Sequence, residues 1–197
     1  MVRGSKFDPA DFVDAALLLL SEGGPSAVTM SAIARRSGAP TGSIYHRFPS
    51  RSAVVAAAWL RALGGFAGEV EAALAGSPSE GPCRLVAWSR AHPREARVLL
   101  LNEPGDLFDT APPEDLSTAI RQQETRMEHA FDQALGAAVA GRDEAFARLR
   151  FAVIDGPAAL IRPYLRAGEP IPAFIDAVAV GLGGLVDMEP HRREAAE

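Results

Sequence analysis

The stretch between Gly23 and Gly68 carries cationic and hydroxyl side chains but no aspartate or glutamate, although the chain as a whole is acidic. Its basic and imidazole side chains are Arg35, Arg36, His46, Arg47, Arg51 and Arg61. Guanidinium groups attract phosphates, and a carboxylate placed among them would repel a polyanion. This combination of residue types predicts a surface that binds the phosphate backbone of a nucleic acid duplex.

Charge is distributed unevenly along the chain. The formal net charge is -5, but residues 1–52 hold six Lys or Arg against four Asp or Glu, whereas residues 53–197 hold fourteen against twenty-one. The first quarter is therefore net positive and the remainder net negative, which indicates an N-terminal module for a polyanion. We expect a DNA-binding domain at 1–52 and a second helical domain at 53–197.

The cysteine content and the apolar runs indicate the compartment. Cys83 is the single cysteine, so an internal disulfide and a CxxC metal site are excluded, and a reducing compartment is favoured. We interpret Cys83 as a half-buried small side chain. The first residues lack the apolar core of a signal peptide, and the apolar runs are short for a membrane span. A cytoplasmic protein without membrane contact is expected.

Helical periodicity and capping residues predict an all-α fold of about nine helices, because β-branched residues are sparse and alanine is abundant. The predicted helices cover about residues 9–23, 30–37, 40 or 41 to 45, 51–75, 83–91, 93–101, 114–136, 142–166 and 171–186. Residues 102–113 are expected to be irregular. Pro157, which follows Gly156, is expected to bend the helix over 142–166 because proline lacks a backbone donor.

The basic segment has the pattern of a helix-turn-helix within a three-helix N-terminal domain. Thr29 is a good N-cap for a short helix that Gly38 ends, and a turn through Pro40 leads into a second short helix. The second helix begins with small residues, so it can enter a major groove about 12 Å wide. Ser50 then caps a long helix whose first residue is Arg51.

These motifs resemble the DNA-binding domain of TetR-family transcriptional regulators. The matching pieces are T-M-S-A-I-A-R-R-S-G, T-G-S-I-Y-H-R-F and P-S-R-S-A-V, within residues 12–59. The resemblance implies a homodimer on a palindromic operator, with repression relieved when a small ligand binds the C-terminal helical domain. This sequence departs from the family's pattern at Arg51, where lysine is usual, and at Ser52, where an acidic residue is usual.

The resemblance also assigns roles to individual residues. Thr29 caps the first helix of the motif; Thr41, Gly42, Ser43 and His46 would face the bases; Tyr45 and Arg51 would contact phosphates. For Arg36, phosphate contact and a solvated helix face are equally good interpretations. Tyr45 can be a core aromatic residue with its hydroxyl turned outward, and His46 can be merely exposed.

The last two predicted helices carry more apolar surface than one-sided burial needs. One stripe of the helix over 142–166 contains Phe146, Leu149, Val153, Leu160 and Tyr164, and another contains Phe151, Ile154, Ala158, Ile161 and Leu165. On the final helix Phe174, Val178, Leu182 and Leu185 form a line. We expect the first stripe and this line to form a dimer interface in an intermolecular four-helix bundle, as in the resembled family. A hairpin buried inside one subunit is the alternative, and which stripe of 142–166 faces a partner stays open.

Apolar and aromatic residues of the second domain are candidates for an effector site. They are Trp59, Leu63, Phe66, Trp88, Leu100, Asn102, Met127 and Phe131. Polar anchors are few in this set, so a bound effector would be mainly apolar. Ordinary core packing is the alternative interpretation of the same residues.

Two other function classes compete with a ligand-responsive regulator. An all-α enzyme or binding protein for hydrophobic small molecules would use the N-terminal bundle only as structure. A regulator that has lost ligand sensing would bind DNA or a partner constitutively. The histidines lack metal-binding spacing, and no nucleophile–base set or glycine-rich phosphate motif is present. We therefore expect no catalytic residues, no metal, no cofactor and no enzymatic activity.

Overall fold

The computed structural model describes residues 7–136 and 141–187, and all regular structure in these ranges is helical, which confirms the all-α prediction. The α-helices are α1 (Pro9–Gly23), α2 (Met30–Ser37), α3 (Thr41–Tyr45), α4 (Arg51–Ala75), α5 (Gly81–Ala91), α6 (Pro93–Leu101), α7 (Pro104–Leu107), α8 (Glu114–Leu135), α9 (Arg142–Arg150), α10 (Gly156–Ala167) and α11 (Phe174–Gly183). Short 3-10 turns occur at Pro25–Ala27 and Pro78–Glu80, and a π-helical segment, Phe151–Asp155, joins α9 to α10.

Helix α1 begins at a reciprocal cap. The Asp8 carboxylate accepts a hydrogen bond from the Ala10 amide at 2.9 Å, and the Asp11 carboxylate accepts one from the Asp8 amide at 3.0 Å. These bonds satisfy amides that a helix start otherwise leaves without partners. The buried face of α1 consists of Phe12, Val13, Ala15, Ala16, Leu17 and Leu20, which form the core behind the DNA-binding motif.

Helix α4 is the longest helix, and Ser50 caps its start as predicted, accepting a hydrogen bond from the Ala53 amide at 3.1 Å. Its length and composition would allow it to cross a membrane, but 61% of its most apolar 18-residue window is buried within the protein. This burial is typical of a core helix, in which apolar side chains face other helices.

The chain divides into two compact units. The first is formed by the chain up to Gly65 together with His92–Gln123, and the second by Phe66–Ala91 together with the chain from Glu124 onward. Helices α1, α2, α3, α6 and α7 lie in the first unit; α5, α9, α10 and α11 lie in the second. Helices α4 and α8 contribute residues to both. The boundary expected near residue 52 falls inside the first unit and stays a prediction.

The helix expected over 142–166 is interrupted rather than continuous. The Gly156 amide donates to the Phe151 carbonyl, which is the i to i+5 spacing of a π-helix. Pro157 has no amide hydrogen to continue the α-helical ladder, which gives the predicted bend a physical cause. A Cβ on Gly156 would lie 2.9 Å from the Phe151 carbonyl oxygen and 3.1 Å from a Leu182 methyl carbon, so this position has no room for a side chain.

The segment expected to be irregular, 102–113, contains the single helical turn α7. Pro104 starts this turn, and Leu107, at its end, is completely buried. Asn102 ends α6 and donates from its side-chain amide to the Val98 carbonyl at 3.0 Å. The segment is therefore attached to the first unit by an apolar anchor.

Candidate nucleic-acid interface

Helix α2 has a defined beginning and end. The Thr29 hydroxyl accepts a hydrogen bond from the Ala32 amide at 3.1 Å, as expected for an N-cap, and it also shares a 3.1 Å bond with the Ser31 hydroxyl. At the other end Gly38 has φ 67° and ψ 17°, the left-handed conformation that glycine adopts at little cost. Ile33 is fully buried, so α2 presents the opposite face, with Arg35 and Arg36, to solvent.

Helix α3 is short, and buried side chains hold it in place. Ile44 is fully buried and Ala39 is nearly so. The Phe48 amide donates to the Ile44 carbonyl at 2.8 Å, which extends the turn beyond Tyr45. The Phe48 ring then packs edge-on against Phe12 of α1. The apolar side of α3 is thus attached to the three-helix core, and its polar side is left for a ligand.

The outward surface of α3 brings together most of the residues expected to face bases. Thr41, Gly42 and His46 are exposed, Ser43 is half-buried, and Tyr45 is 52% exposed. A shallow depression of about 370 Å³ is lined by Gly42, Ser43, His46 and Arg47. A Cβ added to Gly42 would meet no protein atom within 4 Å, so the glycine leaves the backbone uncovered on this surface.

Arg47 lies on this surface, although the residue-by-residue prediction left it out. It is exposed, and its amide donates to the Ile44 carbonyl at 2.9 Å, which places it on the last turn of α3. Its place in the acid-free basic segment was the sequence signal that could have identified it. A guanidinium here is suited to a phosphate or to a guanine edge.

Arg36 also lies on an exposed surface. Its guanidinium is 3.8 Å from a Glu22 carboxylate oxygen, and both side chains are about half exposed. Exposed pairs of this kind contribute little to stability, so the contact can be exchanged for a phosphate at small cost.

Arg51 is placed differently from the expectation of a phosphate contact. Its Nε donates to the Val28 carbonyl at 2.7 Å and its Nη2 to the Pro25 carbonyl at 2.5 Å. Its Nη1 donates to the Leu107 carbonyl at 3.1 Å and to the Asp109 carboxylate at 2.8 Å. The side chain is only 18% exposed. These contacts occupy the guanidinium within the first unit.

The candidate effector-site residues fall into the two units. Trp59 and Leu63 are buried in the first unit, where Leu100 and Asn102 are half-buried. Phe66 and Trp88 lie in the second unit with ring centroids 5.7 Å apart, and Phe131 contacts Phe146 at 5.5 Å. Met127 is half-buried. All eight are therefore buried or half-buried, and their role in effector binding stays a prediction.

The residues expected at a dimer interface separate into two groups. Leu149 and Val153 are buried inside the second unit, and their place in a dimer interface stays a prediction. Phe174 and Val178 are exposed, and Phe146, Leu160, Tyr164, Leu182 and Leu185 are half-buried. The π-helical segment adds a residue to one turn, so a stripe drawn with a constant helical period does not stay on one face of α9 and α10.

Potential metal-binding side chains are not clustered in the part of the chain that the structure describes. In residues 7–136 and 141–187, no group of three or more His, Cys, Asp or Glu side chains is arranged to hold a metal ion. Cys83 is half-buried, and burial, then the Asp176 and Glu80 carboxylates, raise the pKa of its thiol. A raised pKa disfavours the reactive thiolate.

Comparison with known proteins agrees with the geometry of the N-terminal motif. The family model described as bacterial regulatory proteins, tetR family, matches residues 12–58. Among curated protein sequences, none matches this chain. The matched segment runs from Phe12 on α1 to Ala58 on α4, so it contains the whole helix-turn-helix.

Solved structures show similarity over nearly the whole chain. The transcriptional regulator FadR from Bacillus subtilis, in complex with stearoyl-CoA, has a TM-score of 0.67 at 14% identity and covers 93% of this chain and 100% of its own. A transcriptional regulator from Rhodococcus sp. Rha1 has a TM-score of 0.61 at 19% identity, with coverages of 93% and 100%. The TetR-family regulator PfmR from Thermus thermophilus has a TM-score of 0.61 at 17% identity, with coverages of 95% and 100%. The segment 12–58 therefore matches the DNA-binding domain of the tetR family of bacterial regulatory proteins, and the chain as a whole shares its fold with solved transcriptional regulators.

Proposed function

We propose that this protein is a ligand-responsive repressor that binds a palindromic operator as a homodimer in the cytoplasm and is released by a small, mainly apolar effector. The observation that carries the proposal is the surface of α3. Its inner side is anchored by Ile44, and its outer side presents Gly42, Ser43, His46 and Arg47 around one depression. A short helix with a small front and a cationic end is suited to reading a major groove.

Specific roles follow from position on this surface. Thr41, Gly42, Ser43 and His46 would face the bases, and Tyr45, Arg36 and Arg47 would contact phosphates. Thr29 would hold the start of α2 near the backbone. Catalysis has no place in the proposal, because DNA binding and release require only differential affinity.

The test is binding of the purified protein to a labelled duplex from its own upstream intergenic region, with a scrambled duplex beside it. We expect tight, salt-sensitive binding that prefers the native sequence, at two protomers or a multiple per site. Selection from a random duplex library provides a second route to the operator. A folded dimer that binds neither duplex and enriches nothing from the library would refute the proposal.

The proposed dimer interface includes exposed apolar residues of α11 in the second unit. Phe174 is 60% and Val178 is 40% exposed, and they share one side of the helix with Leu182 and Leu185. Ile175 and Ala179, which lie beside this line on α11, are buried in the unit's core. Large apolar side chains that stay exposed in a protomer are typical of an association surface.

Two matched substitutions test this interface. Val178→Glu should convert the dimer into a monomer because it places an unpaired carboxylate in the proposed interface. Val180→Glu should leave the dimer intact, because Val180 is 66% exposed but lies on another side of α11. Sedimentation equilibrium measures both. A monomeric wild-type protein, or equal behaviour of the two variants, would contradict the proposed interface.

The proposed effector is apolar because the candidate residues offer aromatic surface and few polar groups. The second unit contains the candidates Phe66, Trp88, Phe131 and Met127. The first unit contains Trp59, Leu63, Leu100 and Asn102. FadR of Bacillus subtilis was solved with stearoyl-CoA, so a long-chain acyl thioester is the first compound to test.

Release from DNA provides the readout. Stearoyl-CoA, stearate and coenzyme A alone would be added to the preformed complex of protein and labelled duplex. Release by the acyl compounds but not by coenzyme A would support an apolar effector. The variant Trp88→Phe should bind DNA as the wild type does, but a different concentration of the acyl compounds should release it from the duplex. Unchanged DNA binding at saturating concentrations of all three compounds would exclude this effector class.

A further inference from the structure

Arg51 joins three parts of the first unit that are distant in sequence. Its guanidinium contacts the carbonyls of Pro25 and Val28, which precede the start of α2, and the Leu107 carbonyl and Asp109 carboxylate, which follow α7. The side chain itself belongs to the first residue of α4. One side chain therefore connects the start of α2, the start of α4 and the segment 107–110.

Ser52 adds a second connection at the same place. Its hydroxyl is 3.2 Å from the Thr110 hydroxyl and accepts a hydrogen bond from the Thr110 amide at 3.3 Å. Ser52 is buried, and Leu107, in the same segment as Thr110, is fully buried. Two successive residues of α4 thus hold 107–110. They are also the two positions at which this sequence departs from the pattern of the resembled family.

The bonding of Arg51 leaves only one N–H donor, on a side chain that is 18% exposed, for a phosphate contact. A guanidinium has five N–H donors, and four hydrogen bonds already use all three of its nitrogens. Val28 and Leu107 are fully buried residues. Removing the guanidinium would leave their carbonyls without this donor, which costs more than losing a solvent-exposed bond.

We propose that Arg51 is a positioning residue that does not touch DNA, and that its pairing with Asp109 makes the DNA affinity depend on the segment 107–110. The inference rests on the proposed DNA-binding function. While 107–110 is held, the start of α2 is held through Pro25 and Val28, directly before the Thr29 cap. A ligand or substitution that displaces 107–110 releases this support and weakens operator binding.

Removal of the Asp109 carboxylate should change the DNA affinity in the direction opposite to that expected from simple electrostatic repulsion. Removing a carboxylate from a DNA-binding domain normally strengthens DNA binding, because one repulsive charge is lost. Removing a carboxylate that competes with phosphate for Arg51 would also strengthen it. If Asp109 supports the positioning contact, its removal weakens binding instead.

The first experiment compares Asp109→Ala with Asp106→Ala by operator binding across a salt series. Asp106 is exposed on α7, directly before this segment, and its side chain has no hydrogen bond or ion pair within residues 7–136 and 141–187. We expect Asp109→Ala to weaken operator binding roughly three- to tenfold with an unchanged salt slope, since one charge-assisted contact is lost. Asp106→Ala should bind as tightly as wild type or slightly tighter. Equal affinities, or tighter binding by Asp109→Ala, would overturn the inference.

The second experiment concerns Arg51 itself. Arg51→Lys keeps the charge but cannot reproduce the branched set of contacts, so we expect weaker binding with an unchanged salt slope. Adding Asp109→Ala to Arg51→Lys should then cause little further loss, because both changes break one contact. Three results would instead assign Arg51 to a phosphate contact. They are retained affinity in Arg51→Lys, a slope of log affinity against log salt that is lowered by about one unit, and affinity losses that add up in the double variant. Circular dichroism melting of each variant checks folding, and a wild-type protein that binds no operator would refute the proposed function itself.

Discussion

The rings of Phe12 and Phe48 meet edge to face, with centroids 6.5 Å apart and planes at 80°. Phe12 belongs to α1 and is almost completely buried, and Phe48 follows the last turn of α3. Through this contact the apolar side of α3 is attached to the core. The position of the proposed DNA-binding surface on α3 therefore depends on it.

Replacement of Phe12 by alanine should therefore destabilise the protein. Loss of a buried aromatic ring typically costs about 3–5 kcal/mol, including the cavity left behind. Urea denaturation followed by circular dichroism measures the free energy of unfolding. Phe12→Leu, which keeps most of the apolar volume, should cost clearly less. A loss below about 1 kcal/mol for Phe12→Ala would show that the site collapses or that Phe48 is not held by it.

Replacement of Gly42 by alanine should separate DNA binding from stability. The new methyl group meets no protein atom, so stability should be unchanged or slightly higher. It would stand on the surface proposed to enter the groove, and we expect operator affinity to fall by about tenfold or more, equivalent to about 1.4 kcal/mol. Gly68→Ala is the control, because Gly68 is an exposed α4 glycine with equally open space. Normal operator binding by Gly42→Ala would remove Gly42 from the interface.

Replacement of Arg47 by alanine tests the residue that the sequence-based assignment left out. A lost phosphate contact lowers the slope of log affinity against log salt by about one unit and weakens binding to all sequences similarly. A lost base contact instead reduces the preference for the native over the scrambled duplex by about 1–3 kcal/mol. Titrations of both duplexes across a salt series distinguish the two roles. If neither quantity changes, Arg47 is only a solvated side chain.

Replacement of Gly156 by alanine should destabilise the second unit. The added Cβ would be too close to the Phe151 carbonyl oxygen and to Leu182, so backbone or side chain must shift. Overpacking of this kind typically costs about 1–3 kcal/mol. Gly181→Ala provides the comparison, since its Cβ has open space on α11. Thermal melting of the two variants should rank Gly156→Ala well below Gly181→Ala, and similar melting temperatures would argue against the tight packing seen here.

The Cys83 thiol should react slowly with alkylating reagents. Burial, followed by the carboxylates of Asp176 and Glu80, raises the pKa of this thiol, so a smaller fraction is thiolate at any given pH. Iodoacetamide at mildly alkaline pH should modify Cys83 more slowly than it modifies glutathione, and urea should accelerate the reaction. Rapid labelling of the native protein would indicate an activated thiol and would contradict this prediction.

Local features of the sequence determined much of the first unit. Asp8, Thr29 and Ser50 each accept a hydrogen bond from a nearby amide, as N-caps do, and Gly38 ends α2 in the left-handed conformation. These interactions span no more than a few residues, so their geometry follows from residue type and spacing. For the same reason the bounds of the helices up to α4, and the exposed position of His46, could be predicted.

Only the tertiary structure showed the contacts of Arg51 and the buried faces of α9 and α10. The partners of Arg51 lie at Pro25, Val28, Leu107 and Asp109, far away along the chain, and a spacing motif carries no information about such contacts. Leu149 and Val153 are buried within the protomer, whereas Leu160 and Tyr164 of the same predicted stripe are half-buried, because a π-helical turn changes the phase of the helix between them. A periodic pattern predicts the buried face of a helix only while the number of residues per turn is constant. Here long-range packing, together with the missing amide hydrogen of Pro157, changed that number.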